Sequence, residues 1–508
     1  MKKIVISFDG TCNEPEDAEQ ERGFFGLGSL EDDSITNVLK LHLMLGGDLK
    51  GSSAFEDQLC FYFSGVGTYG GKIQRAFNAG LALQRLDADH IMLAATRALR
   101  AVYEHGDEVF VFGFSRGSAL ARQFASLLQT DFPHDTPRIK FLGVFDTVAS
   151  IGIPNLNDKD KPVSDVVFED HTIAPTIEQA LHIVAIDEKR KAFMPTLMNK
   201  EDRVMEVWFP GAHSDVGGGN RRDGLSDLTL EFMLEELDRR QLGLKITHPG
   251  EILYGSLLPA NAEFKIDYSD VMINPKFWGV NHEQKRVFTG WLTLEDRDLR
   301  VNVDDRPSDD LPLLHYSVAE RIHGDDDYRP DSLIGVSHRM LMPNGDAEIY
   351  GGLMAHRARS ALPISVLEPG QSKRVKVYAR KKYNPGGALM VSGATYVFEF
   401  DQNQKWYDAS IEATVSGWSV EEEDIGFIKA LGINAAGHFR RVTDSRWFEL
   451  VAAVGQSEDE LFPVTEFTDP AHPYEAQRNG EFCPFANDLD SRYGNNLGYV
   501  DVTIKRVS

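Results

Sequence analysis

The chain has 508 residues, long enough for about two to four domains with full-sized cores. With 42% hydrophobic, 10% aromatic and 26% charged residues it has the balance of a globular protein, which excludes a disordered or fibrous one. Its 78 acidic against 53 basic residues give a formal net charge of -25, which repels phosphate backbones and anionic head groups at long range, and no local basic patch marks a nucleic-acid partner.

The cysteines, Cys12, Cys60 and Cys483, are far apart and in no metal-ligand spacing, so no disulfide framework is expected and a reducing compartment fits. The apolar run after Met1 stops at Asp9, before the apolar region of a Sec signal peptide could form. The expectation is a first strand and either a cytoplasmic location or export by a signal-peptide-independent route. No stretch approaches the ~18 apolar residues of a membrane span.

Lys3 to Phe8 reads as a strand ending in Asp9-Gly10-Thr11, and a helical run from Thr36 to Leu45 follows a polar loop. Gln58 to Phe63 is a second strand, and Ala88 to about Glu104 a long helix. Val109 to Phe112 is a third strand, running into Gly113-Phe114-Ser115-Arg116-Gly117, after which Ala119, Leu120, Phe124, Leu127 and Leu128 recur at helical spacing. Arg138 to Phe145 ends in Asp146-Thr147-Val148. Val204 to Phe209 ends in a glycine-rich loop carrying His213 and Asp215, with a helix from Leu225 to Arg239.

Apolar strands alternating with helices predict an α/β fold, a doubly wound parallel sheet with helices on both faces. Ligands bind such sheets at the carboxyl ends of the strands, where every suspicious residue falls.

From Pro249 the alternation fades, with Leu314 to Arg321 a short helix. Residues 249–335 read as a lid or an extension of the first domain, and 336–373 as a connector. From Arg374 the pattern changes to short strands, at Arg374 to Ala379, Ala394 to Phe400, Ala409 to Thr414, Trp447 to Val454 and Tyr499 to Lys505. These predict a C-terminal all-β sandwich over 374–508.

A serine hydroxyl needs a base, and the base an acid that fixes its tautomer. Gly113 to Gly117 has the form of a nucleophile elbow, and Ser115, Asp146 and His213 follow in the order nucleophile, acid, base. Asp187 and Asp215 are alternative acids. The oxyanion hole is expected from the backbone N–H of Arg116 with a second donor from Gly10 or Thr11. The competing chemistry is a metal-dependent phosphohydrolase using Asp9, Asp146, His213 and Asp215, although Ser7 stands where an aspartyl nucleophile would be needed.

Residues 1 to about 335 resemble the α/β-hydrolase family that supplies the catalytic domain of type VI secretion phospholipase effectors. The blocks are Phe8-Asp9-Gly10-Thr11 with Asn13, Gly113 to Gly117, Val144 to Val148, His182 with Asp187-Glu188 and Arg190, Trp208 to Gly211, and His213 to Gly218. The resemblance implies ester hydrolysis by a Ser-Asp-His triad, with phospholipids as substrate class and no cofactor for catalysis.

Residues 374 to 508 are similar to the calcium-dependent galactose-binding lectin fold of the PA-I type, through Asn487-Asp488 and Tyr493 to Asn496, with Trp406 and Trp447 to Leu450 matching less tightly. That resemblance implies Ca2+ held by Asp488, Asn495 and Asn496, and a glycan partner. Arg492 and Glu421 depart from the lectin pattern.

The reading is a serine esterase or lipase acting on phospholipid acyl esters, with a β domain that docks to glycans or serves as scaffold. A carbohydrate- or surface-binding protein with an inactive hydrolase domain is the alternative class. Oligomeric state, acyl position and head group are not encoded in any motif.

Overall fold

Residues 1–10, 35–64, 88–149, 172–220, 224–259, 265–282, 294–325, 327–360, 364–409, 411–419, 440–489 and 492–508 are described by a computed structural model. Within the first of two units, Met1–Val318 with Pro330–Gly352, the apolar runs form the strands of one sheet. They are β1 (Lys3–Phe8), β2 (Gln58–Phe63), β3 (Glu108–Phe114), β4 (Ile139–Phe145), β5 (Ala180–Ala185) and β6 (Val204–Phe209), all parallel. After a small ribbon of β7 (Asn302–Val303) and β8 (Arg306–Pro307), the sheet is extended by β9 (Leu313–His315), β10 (His338–Leu341) and an antiparallel edge strand, β11 (Ala347–Tyr350). Its order is β11-β10-β9-β6-β5-β4-β3-β1-β2.

Successive residues of these strands point to opposite faces, and both faces are covered. Ile4, Ile6, Val109, Val111, Leu142 and Val144 pack with Ile91 and Leu99 of α2 (Ala88–Val102) and with Leu120 and Phe124 of α3 (Arg116–Asp131). Val5, Phe110, Phe112 and Phe141 pack on the other side with Val38 and Leu41 of α1 (Asn37–Met44) and with Leu230 and Met233 of α5 (Gly224–Arg239). Each fully buried Phe or Leu contributes roughly 1.5–3 kcal/mol. A short α4 (His213–Gly217) sits between β6 and α5.

Register aligns the strand ends that carry the site. Phe8 lies beside Gly113, Phe114 beside Phe145, Phe145 beside Ile183, and Ala185 beside Phe209. The residues that follow, Asp9, Ser115, Asp146 and Ile186, therefore leave the sheet along one edge.

The sheet differs from expectation in its extent. Five strands were legible, whereas β5 and the strands beyond β6 were not. Leu313–His315 is a strand and the helix begins only at Tyr316, because the Leu314 backbone pairs with Trp208. Residues 338–350, expected within a connector, add two strands to the sheet.

The second unit comprises Ala319–Arg329 and Leu353–Ser508. Its described strands form a nine-stranded and a four-stranded sheet. Val375, Val377, Tyr396, Phe398, Val502 and Ile504 of the smaller sheet share one core with Trp406, Trp447, Leu450, Ala452 and Phe482 of the larger, which makes the unit a β-sandwich.

Candidate active site

The turn between β3 and α3 places Ser115 at φ 56° and ψ -126°, a conformation that costs an L-residue of order 1–3 kcal/mol. Glycine flanks it for a measurable reason. A Cβ at Gly113 would lie 2.7 Å from Ser118 Cα, and one at Gly117 only 2.3 Å from the Phe8 carbonyl oxygen. The strained corner is held by Ser115 N–H donating to Phe145 O at 3.0 Å and by Val148 N–H donating to Ser115 O at 3.2 Å. The second of these ties the Ser115 backbone to the loop that carries Asp146.

Asp146 is fully buried and also has positive φ, 40°. Its Oδ2 accepts from His213 Nδ1 at 2.5 Å, and its Oδ1 accepts from Ala185 N–H at 3.0 Å. Arg297 grips both oxygens, Nη1 to Oδ1 at 2.5 Å and Nη2 to Oδ2 at 2.8 Å. Burial alone would push this carboxyl up, but the Arg297 charge and the hydrogen bonds from His213 and Arg297 outweigh it and hold Asp146 far below the usual carboxylate range. An ionised Asp146 requires Nδ1 of His213 to carry the proton, which leaves Nε2 as the basic nitrogen.

His213 is the first residue of α4, after the loop that closes β6. Its ring lies between Phe114, with centroids 4.7 Å apart, and the edge of Phe193, at 4.9 Å. Its backbone N–H donates to Glu188 Oε2 at 3.2 Å. Burial pulls the His213 pKa below the ordinary value, and the pull survives the opposing effect of Asp146, so the imidazole is neutral at neutral pH.

The two alternative acids hold the loop rather than the ring. Asp187 Oδ2 accepts from Gly211 N–H at 2.7 Å and from Asn281 Nδ2 at 3.0 Å. Asp215 Oδ2 accepts from Ala212 N–H and His282 N–H, both at 2.9 Å, and its Oδ1 accepts from His282 Nδ1 at 2.5 Å. Both carboxylates thus anchor the peptides immediately before His213. His182 acts likewise: its Nε2 accepts from Thr147 N–H at 3.1 Å while Nδ1 donates to Glu206 at 2.8 Å, steadying the peptide after Asp146.

The oxyanion side departs from expectation. Gly10 does press against Ser115, since a Cβ there would lie 3.1 Å from Ser115 Cβ. Its N–H, however, donates to Asp9 Oδ1 at 2.7 Å and is not presented to a reacting oxygen. Thr11 lies outside the described residues. Arg116 opens α3, so its N–H lies in the first turn, at the positive end of the helix dipole.

The phosphohydrolase cluster does not assemble, because Asp9 is engaged by Thr36 and Tyr62, Asp215 by His282, and Asp146 by Arg297. Among the described residues no group of three or more His, Cys, Asp or Glu is placed to hold a metal ion.

Arg297 was not found from the sequence. It follows a stretch without periodic pattern and lies 151 residues from its partner, so no local spacing could flag it. Glu188 and Arg190 appeared only as parts of a motif. Here Arg190 closes a bidentate pair on Glu188, at 2.9 and 3.0 Å, and stacks 3.6 Å over the Phe193 ring.

In the second unit, Asp488 Oδ2 accepts from Asn496 Nδ2 at 3.0 Å and Asn495 Nδ2 donates to Asp408 at 3.3 Å. Asn496 Oδ1 is buried without a partner among the described residues. Burial, together with the neighbouring Asp488 charge, pushes Asp408 up to about 6, and burial also raises Asp488. Asp408 is the member of this group that sequence reading missed. Its backbone is paired with Asn496 across two strands, a contact visible only in the fold. Glu421 lies outside the described residues.

A parallel, doubly covered sheet whose strand ends carry a strained serine elbow and a buried Asp-His pair defines the α/β-hydrolase fold. The sequence model of the type VI secretion system phospholipase effector Tle1-like catalytic domain matches residues 2–131 and 128–236. An uncharacterised Saccharomyces cerevisiae protein, YEL023C, is 26% identical over 246 residues, covering 38% of this chain and 32% of the yeast protein.

Two solved structures are also similar. The Tle1 effector bound to the VgrG spike of the type 6 secretion system is 23% identical, covers 43% of this chain and 51% of its own, and has a TM-score of 0.27. The EclA N-terminal domain, described as a PllA-like lectin, is 17% identical, covers 27% of this chain and 94% of its own, and has a TM-score of 0.19. The chain thus spans about a third of the yeast relative and about half of the effector.

Proposed function

We propose that the chain is a serine hydrolase of carboxylic esters, with phospholipid acyl esters as substrate class. The observation that carries this reading is the buried His213–Asp146 hydrogen bond beside a serine held at positive φ. In the reaction, His213 Nε2 takes the Ser115 proton as Oγ attacks the ester carbonyl. The tetrahedral oxyanion faces the Arg116 end of α3, and collapse expels the alcohol with the proton from Nε2. Water activated by the same nitrogen then releases the fatty acid.

The Tle1-like match supports the lipid substrate and fits delivery by the type VI route. No helix among the described residues is long and apolar enough to cross a membrane. Covalent labelling by a fluorophosphonate, run beside a lipid and ester panel on wild type and Ser115→Ala, tests the reading. Labelling at Ser115 with phospholipid turnover is expected, whereas an unlabelled serine favours the inactive, surface-binding alternative.

A second reading concerns the β-sandwich, and Asn496 Oδ1, buried without a partner among the described residues, favours it. Asp408, Asp488, Asn495 and Asn496 offer hard oxygen donors of the kind Ca2+ takes, and bound Ca2+ would supply a Lewis-acidic point for vicinal sugar hydroxyls. Glycan docking by this unit belongs to the same proposal.

A further inference from the structure

Among the described residues Asp146, Glu188 and Arg190 act on the His213 imidazole, and Arg297 acts on it through Asp146, so that each carboxylate has a guanidinium beside it. Asp146 is paired with Arg297, and Glu188 with Arg190. A lone carboxylate beside a histidine favours the protonated ring. A carboxylate already matched by a guanidinium favours it much less.

Arg297 is also fixed with little freedom. Besides gripping both Asp146 oxygens, Nη1 donates to Ala185 O at 2.8 Å and Nη2 to Phe193 O at 2.7 Å. Both outer nitrogens of the fork therefore bridge the acid to a carbonyl, one at the end of β5 and one on the turn whose ring touches His213. A lysine could supply the charge but not this two-point geometry.

We propose that Arg297 is the positioning residue of the catalytic base: it locks Asp146 in the orientation that accepts from His213 Nδ1 and offsets its charge, so that His213 stays unprotonated and active on the acid side of neutrality. The proposal rests on the triad reading above and adds a working pH range to it. Glu188, the other carboxylate acting on the ring, also feels the Arg297 charge but is held by its own bidentate pair with Arg190.

The test is kcat/KM against pH with a soluble ester for wild type, Arg297→Lys and Arg297→Gln, with melting temperatures alongside. Arg297→Gln is expected to move the acid limb up by about one pH unit and to lower the plateau. Arg297→Lys is expected to leave the limb in place and lower the plateau by about tenfold or more, the cost of a less well oriented acid. An acid limb unmoved in Arg297→Gln, or a wild-type plateau in both variants, overturns the proposal.

If Arg297→Gln does not fold, the pH dependence of fluorophosphonate labelling in wild type decides. A limb well below the ordinary histidine value of 6.5 supports the proposal, and one at or above it overturns it. Ser115→Ala and Asp146→Asn separate the two levels of the argument. Wild-type turnover in either removes the triad reading itself, whereas their inactivity beside an unmoved limb in Arg297→Gln counts against Arg297 alone.

Discussion

The ring of Phe114 occupies the space that a side chain at Gly217 would need: a Cβ at 217 would come within 1.9 Å of Phe114 Cε2. The same ring lies against His213. The last residue of β3 thus sets how closely α4, and with it His213, approaches the Ser115 turn.

Gly217→Ala is therefore expected to affect stability and turnover together. Overpacking of a filled site costs about 1–3 kcal/mol. Displacing the ring also shifts the imidazole, and a misplacement of about 1 Å is worth on the order of 100-fold in rate. A thermal melt and ester turnover on the same preparation check this. A variant with unchanged melting and unchanged kcat would remove the coupling between Phe114 and α4.

The strain at Ser115 gives a prediction of opposite sign. Glycine adopts φ 56° without the Cβ penalty, so Ser115→Gly is expected to raise the stability of its unit by about 1 kcal/mol while abolishing turnover. Ser115→Ala, which keeps the Cβ, should abolish turnover without that gain. Equal melting temperatures for the two variants would mean that the elbow stores no strain.

What was legible in the sequence follows from how local each signal is. Val109 to Phe112 and Arg138 to Phe145 announce themselves as apolar runs because their strands are buried on both faces, and Ser115 is framed by glycines that the turn itself demands. Ala180–Ala185 is just as buried, yet its interior His182 interrupts the apolar pattern. That histidine is satisfied by Thr147 and Glu206, partners on other strands or their ends. Arg297 and Asp408 share this property: each acquires its role from residues dozens to hundreds of positions away, so only the folded sheet reveals it. The Asp9–Gly10 hydrogen bond is a third kind of case. Glycine at an oxyanion position was legible, but the direction of its N–H was not.

Asp9 supplies a pH dependence. It accepts from Gly10 N–H, Thr36 Oγ1 and the Tyr62 hydroxyl, but burial dominates and pushes its carboxyl up to about 6 from an ordinary value of 3.8. A carboxyl raised in the folded state contributes stability that is fully present below the unfolded value and is lost as the pH rises through about 6. Asp9→Asn removes this titration. Its stability relative to wild type should therefore rise between pH 4 and pH 7 by roughly 3 kcal/mol at most. Denaturant unfolding of both proteins at the two pH values checks it, and a difference independent of pH would show that Asp9 does not titrate in this range.

The β-sandwich yields the last expectation, through the neighbouring carboxylates of Asp408 and Asp488, which the Arg492 charge offsets only in part. Asp408 is raised by burial and by the Asp488 charge, so without a cation the pair opposes folding of its unit. Bound Ca2+ would reverse that, adding about 2.7 kcal/mol when its concentration is a hundred times the Kd. Asp408→Asn should consequently change sign with the metal: more stable than wild type in chelator, less stable than wild type in millimolar Ca2+. The measurement is the melting transition of the full chain under the two conditions, with Asp488→Asn following the same crossover. If Ca2+ leaves wild-type melting unchanged, the four residues hold no calcium. If Asp408→Asn is destabilised equally in both conditions, its carboxylate is a structural acceptor for Asn495 and nothing more.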